Sequence, residues 1–353
     1  MIRNVNDLFA LSQKFNITYA DTLLIDININ GINVDIDADR VRFNVKFFFG
    51  NKERYFCALQ VRKDSKYLIK NGILYLNEKC IGKVENFEID FCDTFYMRRN
   101  DTVLNINPKS RINCQGCKFC YTSHQKFRSM IDLTVKENLD NFLKDWMTTY
   151  KVKDLSGLYQ IAVVSGCFPS EKHVVDFLLE LNEKTSKLNF NGEIFDLGSQ
   201  IQTCSSLEKL AVIPKFAYCL TLECFNNRDY FLKNSKSKFN IAQIKDVMKK
   251  SVELGIKTNY TYIVGLEDLE KMKSGFMDFL KYANSFPIIN IFQEHQYQVG
   301  MRSNEALKIE FYLKARKIIE EIYLDTTMRP QTWEVCRTLW YTTFGSERLV
   351  TIT

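Results

Sequence analysis

From about residue 106 onward, short apolar runs alternate with longer amphipathic segments. Runs of strand length lie at Ser110 to Asn113, Gln160 to Val164, Ile194 to Leu197, Phe216 to Glu223, Thr258 to Val264 and Ile288 to Gln293. Between them, over Leu133 to Tyr150, Glu171 to Lys187, Ile241 to Leu254, Leu269 to Ala283 and Glu305 to Tyr323, apolar residues recur at the spacing of a helix with one buried face. Regular strand–helix alternation predicts a parallel sheet joined by right-handed crossovers. The expected class is therefore α/β, a partial (β/α)6 TIM-like barrel, with its chemistry at the carboxyl ends of the strands, where the loops converge.

Residues 1–105 have a different texture. Val5 to Phe15 reads as a short helix. Leu23 to Ile29, Val41 to Phe49, Tyr55 to Val61, Gly72 to Leu76 and Ile81 to Phe95 alternate or run apolar at strand length. Asn30-Gly31, Gly50-Asn51 and Asn71-Gly72 punctuate them as turns. The pattern predicts a β-rich accessory domain over 1–105, a small antiparallel sheet or barrel that either docks a peptide or other substrate or covers one end of the catalytic domain. Its Cys57, Cys80 and Cys92 are read as buried small hydrophobes. Residues 106–325 form the barrel. Residues 326–353, with Arg329-Pro330, Trp333, Cys336, Trp340 and Tyr341, are expected to cap one of its openings.

Composition narrows the function classes. With 353 residues, 46% of them hydrophobic, the chain can bury a large core. A net charge of +6, from 48 basic and 42 acidic residues, permits an anionic partner without pointing to nucleic acid. No apolar run approaches the length of a membrane span. The polar start, Met1-Ile2-Arg3-Asn4, lacks the apolar core of an export signal, and the eleven cysteines are an odd number, so a cytoplasmic location with reduced thiols is expected. A phosphate loop of the GxxxxGK[ST] type, an HExxH helix and a G-x-S-x-G elbow are all missing from the sequence.

The chemistry concentrates in Cys114-Gln115-Gly116-Cys117-Lys118-Phe119-Cys120. Three thiols at two-residue intervals suit zinc or iron–sulfur iron rather than magnesium or calcium. Structural zinc would want a second knuckle or a histidine pair, and the chain has three histidines in all, His124, His173 and His295. A ferredoxin run would continue with Cys-Pro where His124 and Gln125 stand. Three thiolates on a four-iron cluster leave one iron open to a small molecule. A zinc or iron–sulfur site completed by His124, without catalysis, is the rival arrangement.

Cys117-Lys118-Phe119-Cys120, followed by Tyr121, resembles the cluster loop of the radical S-adenosylmethionine (SAM) superfamily, although the first spacer here is one residue shorter than the C-x3-C-x2-C common in that superfamily. Three later segments follow in order, a loose match to the superfamily at large and two that are similar to its biotin synthase, tyrosine lyase and hydrogenase-maturation branch. Ser165-Gly166-Cys167-Phe168-Pro169 stands where that superfamily commonly carries a Gly-Gly-Glu-Pro-like segment that receives the methionyl amino group. Glu223 ends the fourth strand, where a carboxylate would hold an amine or ribose hydroxyls, or else form a structural ion pair with Arg228 or a lysine. Val264-Gly265-Leu266-Glu267 is similar to a turn that lies against adenine, and Glu267 would also be favoured near the amino end of the next helix.

The resemblance implies a [4Fe–4S] cluster on Cys114, Cys117 and Cys120, SAM bound at the open iron, and SAM contacts from Phe119, Ser165, Gly166, Glu223, Val264 and Gly265. It also implies a one-electron donor such as flavodoxin or ferredoxin, and a 5′-deoxyadenosyl radical that takes hydrogen from a substrate, small or peptide. The shortened spacer leaves transfer of an aminocarboxypropyl group as a variant. His295, after the sixth strand, and Cys336 are candidate acid/base or hydrogen-donor residues; Glu294 and Arg302 stand beside His295 as further mouth residues.

Overall fold

A computed structural model of the chain describes residues 4–49, 53–91, 93–108, 116–124, 131–166, 168–332 and 336–349. Two helices come first, α1 (Val5–Phe15) and α2 (Tyr19–Asn30). The Asn4 side chain caps α1 by accepting from the N–H groups of Asn6 and Asp7. Helix α2 corrects the expected strand at Leu23 to Ile29. Thr18 caps its amino end, and every residue from Leu23 to Ile29 is buried. A helix enclosed on all sides loses the apolar stripe by which helices are recognised, so the Ile-Asp-Ile-Asn-Ile alternation imitates a strand. Gly31 then turns the chain at φ +68°, where a side chain would collide with the Gln60 carbonyl at 2.6 Å.

Five antiparallel strands follow: β1 (Arg40–Phe47), β2 (Arg54–Gln60), β3 (Tyr67–Lys70), β4 (Ile73–Leu76) and β5 (Lys79–Ile89), in the order β2-β1-β5-β4-β3. Bridges from Ile32 to Val61 and from Asn33 to Leu68 tie the two edges of this sheet to the segment after α2. Alternation on β1 gives the sheet two characters. Val41, Phe43, Val45 and Phe47 are buried in the core, whereas Arg40, Arg42, Asn44 and Lys46 line a cavity on the other face. Cys57 is buried as expected. Cys80 is exposed at the start of β5, which corrects its reading as a core filler, and Cys92 lies outside the described residues.

The second sheet has seven strands in sequence order: β6 (Phe95–Arg98), β7 (Val103–Ile106), β8 (Gln160–Val164), β9 (Glu193–Gly198), β10 (Phe216–Glu223), β11 (Lys257–Val264) and β12 (Ile288–Ile291). Strand β6 is antiparallel to β7, and the six from β7 to β12 are all parallel. This is the expected partial barrel. Its helices are α3 (Lys136–Thr149), α4 (Glu171–Ser186), α5 (Cys204–Leu210), α6 (Arg228–Phe231), α7 (Asn234–Lys238), α8 (Ile241–Glu253), α9 (Leu269–Phe279) and α10 (Ile309–Tyr323). The run Ser110 to Asn113, read as the first strand, lies outside the described residues; the first parallel strand is β7, a few residues earlier. Ala162, Phe195, Ala217, Cys219 and Ile288 pack together inside the barrel.

One hydrophobic core runs through both sheets. The carboxyl-terminal segment lies along the edge of β12: the Arg337 carbonyl accepts from the Ile291 N–H at 2.7 Å, and Trp340 packs edge-on against Phe286. The segment ends in a two-rung hairpin, β13 (Thr343–Phe344) with β14 (Glu347–Arg348). Polar anchors fasten it to α2 and α10. Arg316 donates to Asp21 at 2.6 Å and to Glu320 at 2.8 Å, all three buried, and Asp21 also accepts from the Thr342 N–H at 2.8 Å. Gln293 donates to Asn28 and to the Ala58 carbonyl, each at 2.9 Å, joining the end of β12 to the first sheet.

Candidate functional site

The cysteine loop follows β7, at the carboxyl end of the barrel strands. A turn closed by the Cys120 N–H on the Cys117 carbonyl (2.8 Å) shapes it, and the Lys118 N–H on the Phe231 carbonyl (2.9 Å) ties it to α6. The Cys117 and Cys120 thiols are part-buried against an apolar cluster that includes Phe119, Phe231, Ile263 and Phe292. Burial pushes the Cys117 thiol above its usual pKa, and the neighbouring Lys236 ammonium opposes that shift. Cys114 lies outside the described residues, as does Cys167. Among the described residues no three histidine, cysteine or acidic side chains converge as a metal site. The two described thiols nevertheless fit a thiolate-held metal: they share one tight turn, sit in an apolar shell, and have a buried cation beside them to favour the ionised form.

Glu223 ends β10 just beyond a register shift in its pairing with β11, and its φ of +72° is uncommon for a residue with a side chain. The carboxylate accepts from Lys236 of α7 at 2.9 Å, both side chains largely buried. Arg228 does not pair with Glu223. Its guanidinium donates to the Leu222, Cys224, Lys236 and Phe239 carbonyls, at 2.6 to 3.3 Å, and so holds the loop that carries Lys236. Glu267 accepts from the Phe225 and Asn226 N–H groups (3.0 and 2.6 Å) and from the Tyr262 hydroxyl (3.0 Å). It therefore braces the loop after β10, while Asp268 caps α9. Gly265 adopts φ +114°, and a side chain there would meet the Tyr312 hydroxyl at 2.7 Å.

Above the barrel mouth lies a cavity of about 1050 Å³, closed on its far side by the polar face of the first sheet. Phe119, Cys120, Glu223, His295 and Cys336 line it, which brings five of the sequence-read site residues together. Ser165, Gly166, Val264 and Gly265 are not part of its lining, although their neighbours Val164 and Ile263 are. The Ser165 hydroxyl donates to the buried Asp196 carboxylate, on the face of β9 opposite Phe195 and Leu197, which do line the cavity.

An aromatic stack rises from the cysteine loop. Tyr121 lies on His295 (4.4 Å between centroids, 11° between planes), and His124 lies on Tyr297 at 4.0 Å. Arg40 covers the Tyr121 ring at 5.7 Å. Burial, with Arg40 and Arg337 nearby, pushes the His295 pKa down to about 3. The imidazole is therefore neutral at physiological pH, suited to hydrogen bonding rather than to giving up a proton. Of the two other mouth candidates, Glu294 accepts from the Gly300 N–H at 2.9 Å and Arg302 donates to the Ile29 carbonyl of α2 at 2.6 Å, so both serve to brace the segment after β12.

Sequence reasoning missed Lys236, Arg40 and Arg337. The alternation of basic and apolar residues on β1 was a readable signal for Arg40. Nothing local marks Lys236 or Arg337, whose roles depend on where distant loops fold.

Asp196 yields a test of this packing. Burial raises its pKa from 3.8 to about 7. The folded state then holds a proton that the unfolded state has released, so the contribution of this group to stability is full below about pH 4 and declines until about pH 7. Asp196→Asn should remove that decline. Urea unfolding at pH 5 and pH 8 should show wild type losing on the order of 1–4 kcal/mol relative to the variant over this interval; parallel profiles would refute a protonated Asp196.

No protein-family model and no curated protein matches the chain. Several solved structures are similar to it over part of its length. They include SuiB from Streptococcus suis bound to S-adenosylmethionine (14% identity, 63% of this chain and 46% of that one, TM-score 0.42) and the FeFe-hydrogenase maturase HydG from Carboxydothermus hydrogenoformans (18%, 65% and 54%, 0.44). A third is the radical S-adenosylmethionine methyltransferase TsrM from Kitasatospora setae, with cobalamin and a [4Fe-4S] cluster bound (10%, 54% and 36%, 0.38). The chain spans about half the length of SuiB and HydG, and about a third of TsrM.

Proposed function

We propose that the chain is a radical SAM enzyme acting on a substrate held between the barrel mouth and the first sheet. The observation that carries this reading is a single large cavity bordered both by the cysteine loop, at Phe119 and Cys120, and by the strand-end carboxylate Glu223. A non-catalytic metal site has no use for such a space beside it. A retained zinc or electron-transfer centre would also be served by a small closed loop.

Cys114, Cys117 and Cys120 would hold a [4Fe–4S] cluster, which with SAM supplies, once reduced, a carbon-centred radical able to abstract hydrogen. The chain's own work is positioning. Lys236 holds Glu223, whose carboxylate is then oriented to accept from a cationic amine or from ribose hydroxyls. Phe119 presents an apolar wall beside Cys120. The first sheet covers the mouth, and the stacked Tyr121–His295 pair lines the space between sheet and barrel, where a bound substrate would displace water from the reacting centre.

Electron paramagnetic resonance on anaerobically reconstituted, reduced protein is the direct test. A [4Fe–4S]⁺ signal that changes on adding SAM is expected; a spectrum indifferent to SAM would sink the reading. Glu223→Gln should leave the cluster signal in place but raise the SAM concentration needed for half of the spectral change by about tenfold or more, since a hydrogen bond to a charged group contributes roughly 1.5–3 kcal/mol. An unchanged titration would remove Glu223 from the cofactor site.

A further inference from the structure

The charges of the cavity are matched unevenly. On the sheet side, Arg40 pairs with Asp90 at 3.0 Å and Arg42 with Glu88 at 3.1 Å, so these cations have counterions of their own. Arg337, on the barrel side, does not. Its Nε donates to a neutral amide oxygen, Asn290 Oδ1, at 3.2 Å, and no carboxylate lies within ion-pair distance among the described residues. Glu223, the carboxylate whose charge reaches it, is held by Lys236. Burial and the nearby Arg40 both work against its positive charge, and His295, which feels both guanidinium groups, is neutral. A guanidinium held in a secluded space next to a like charge is costly unless an anion joins it. With Nε occupied, the two terminal nitrogens form the planar fork that matches a carboxylate or phosphate in two parallel hydrogen bonds.

We propose that the substrate is a small molecule with an anionic head group, a carboxylate or a phosphate, gripped by Arg337 with Arg40 alongside. The chemistry done on that molecule rests on the radical-enzyme reading; the anion site does not. Two further observations favour a ligand with polar groups. Asn105 and Thr261 line the same cavity at 2% and 3% exposure, and among the described residues Asn105 Nδ2 and Thr261 Oγ1 have no hydrogen-bond partner. Buried polar atoms are seldom left unmade in the working state of a protein. At about 1050 Å³, the cavity is as large as the upper end of ordinary single-ligand pockets, roughly 1,000 Å³, so a nucleoside at the cysteine loop and a small anion at Arg337 can share it.

The test uses the full chain without cluster, titrated calorimetrically with benzoate, phenyl phosphate and the neutral isostere benzamide. At least one of the two anions should bind about tenfold or more tightly than benzamide, and whichever is stronger identifies the head group. Arg337→Gln should weaken that anion by about tenfold or more, with Arg337→Lys between the two because it keeps the charge but loses the fork. Failure of both anions to bind wild type, benzamide binding as tightly as they do, or anion binding undiminished in Arg337→Gln would each overturn the proposal.

A second arm separates the anion site from the cofactor. In reconstituted, reduced Arg337→Gln, SAM should still change the cluster spectrum; loss of that change would assign Arg337 to the SAM carboxylate and overturn the substrate site. A wild-type spectrum indifferent to SAM would sink the radical reading while leaving the calorimetric result standing.

Discussion

Cys117→Ser and Cys120→Ser should each abolish cluster assembly, leaving reconstituted protein with almost no bound iron and no signal on reduction, while the fold survives. The two thiols share one turn, closed by the Cys120 N–H on the Cys117 carbonyl at 2.8 Å, so neither can be replaced by a ligand from elsewhere without remodelling the loop. Serine keeps the size and loses the soft thiolate on which iron–sulfur ligation depends. Structural damage should be small, since both side chains lie at the edge of a minor apolar cluster rather than in the main core. Cluster loading should also fall at low pH, because burial raises the Cys117 pKa and the ligand must be deprotonated to bind. Near-normal iron content in either variant, measured beside circular dichroism to confirm folding, would remove the loop from the metal site.

The barrel was legible because its elements keep clean periods. Gln160–Val164 and Phe216–Glu223 are strands over the very residues that the apolar runs delimit, and helices α3, α4, α8, α9 and α10 fall within a few residues of their periodic segments, whereas the short α5, α6 and α7 were not read from the sequence. Each strand there is buried on both faces and each helix on one, so burial writes itself into the pattern. Helix α2 was not legible for the converse reason. It is wrapped by α1, α10, the first sheet and the carboxyl-terminal segment, and a helix that is buried all round carries no stripe.

The site divides in a similar way. Cys117, Cys120 and Glu223 could be read because each interrupts a local pattern: thiols at fixed spacing, and an acid at the end of an apolar strand. Arg337 could not be read. What sets it apart is that Arg40, almost three hundred residues earlier in the chain, lies near it, and that Asn290 takes its Nε. Ser165 shows the limit of position alone: it stands at the end of β8, but its hydroxyl is spent on Asp196, on the side of the sheet away from the cavity.

The anchor at Asp21 is where a single substitution should cost the most stability. Its carboxylate receives Arg316 Nη1 at 2.6 Å, the Thr342 N–H at 2.8 Å, the Thr342 hydroxyl at 3.0 Å and the Tyr341 N–H at 3.2 Å, with both ionic side chains fully buried. Asp21→Ala leaves Arg316 with Glu320 as its remaining acid and strips the backbone N–H groups of Tyr341, Thr342 and Thr343 of this acceptor. Removing one member of a buried ion pair typically costs about 3–5 kcal/mol, and urea unfolding should show a loss of that order; a loss below about 1 kcal/mol would mean that water or a shifted side chain readily takes the carboxylate's place. The double variant Asp21→Ala with Arg316→Met should recover part of the loss, because the uncompensated charge is then gone. The consequence reaches the cavity. Asp21 holds the backbone at Tyr341 and Thr342, and Arg337 sits a few residues earlier on the same strap, joined to β12 through hydrogen bonds to Ile291 and Asn290. Loosening the strap should therefore weaken anion binding at Arg337 even though Asp21 itself does not line the cavity, and in the double variant, where stability partly returns but the strap is still unanchored, that weakening should persist.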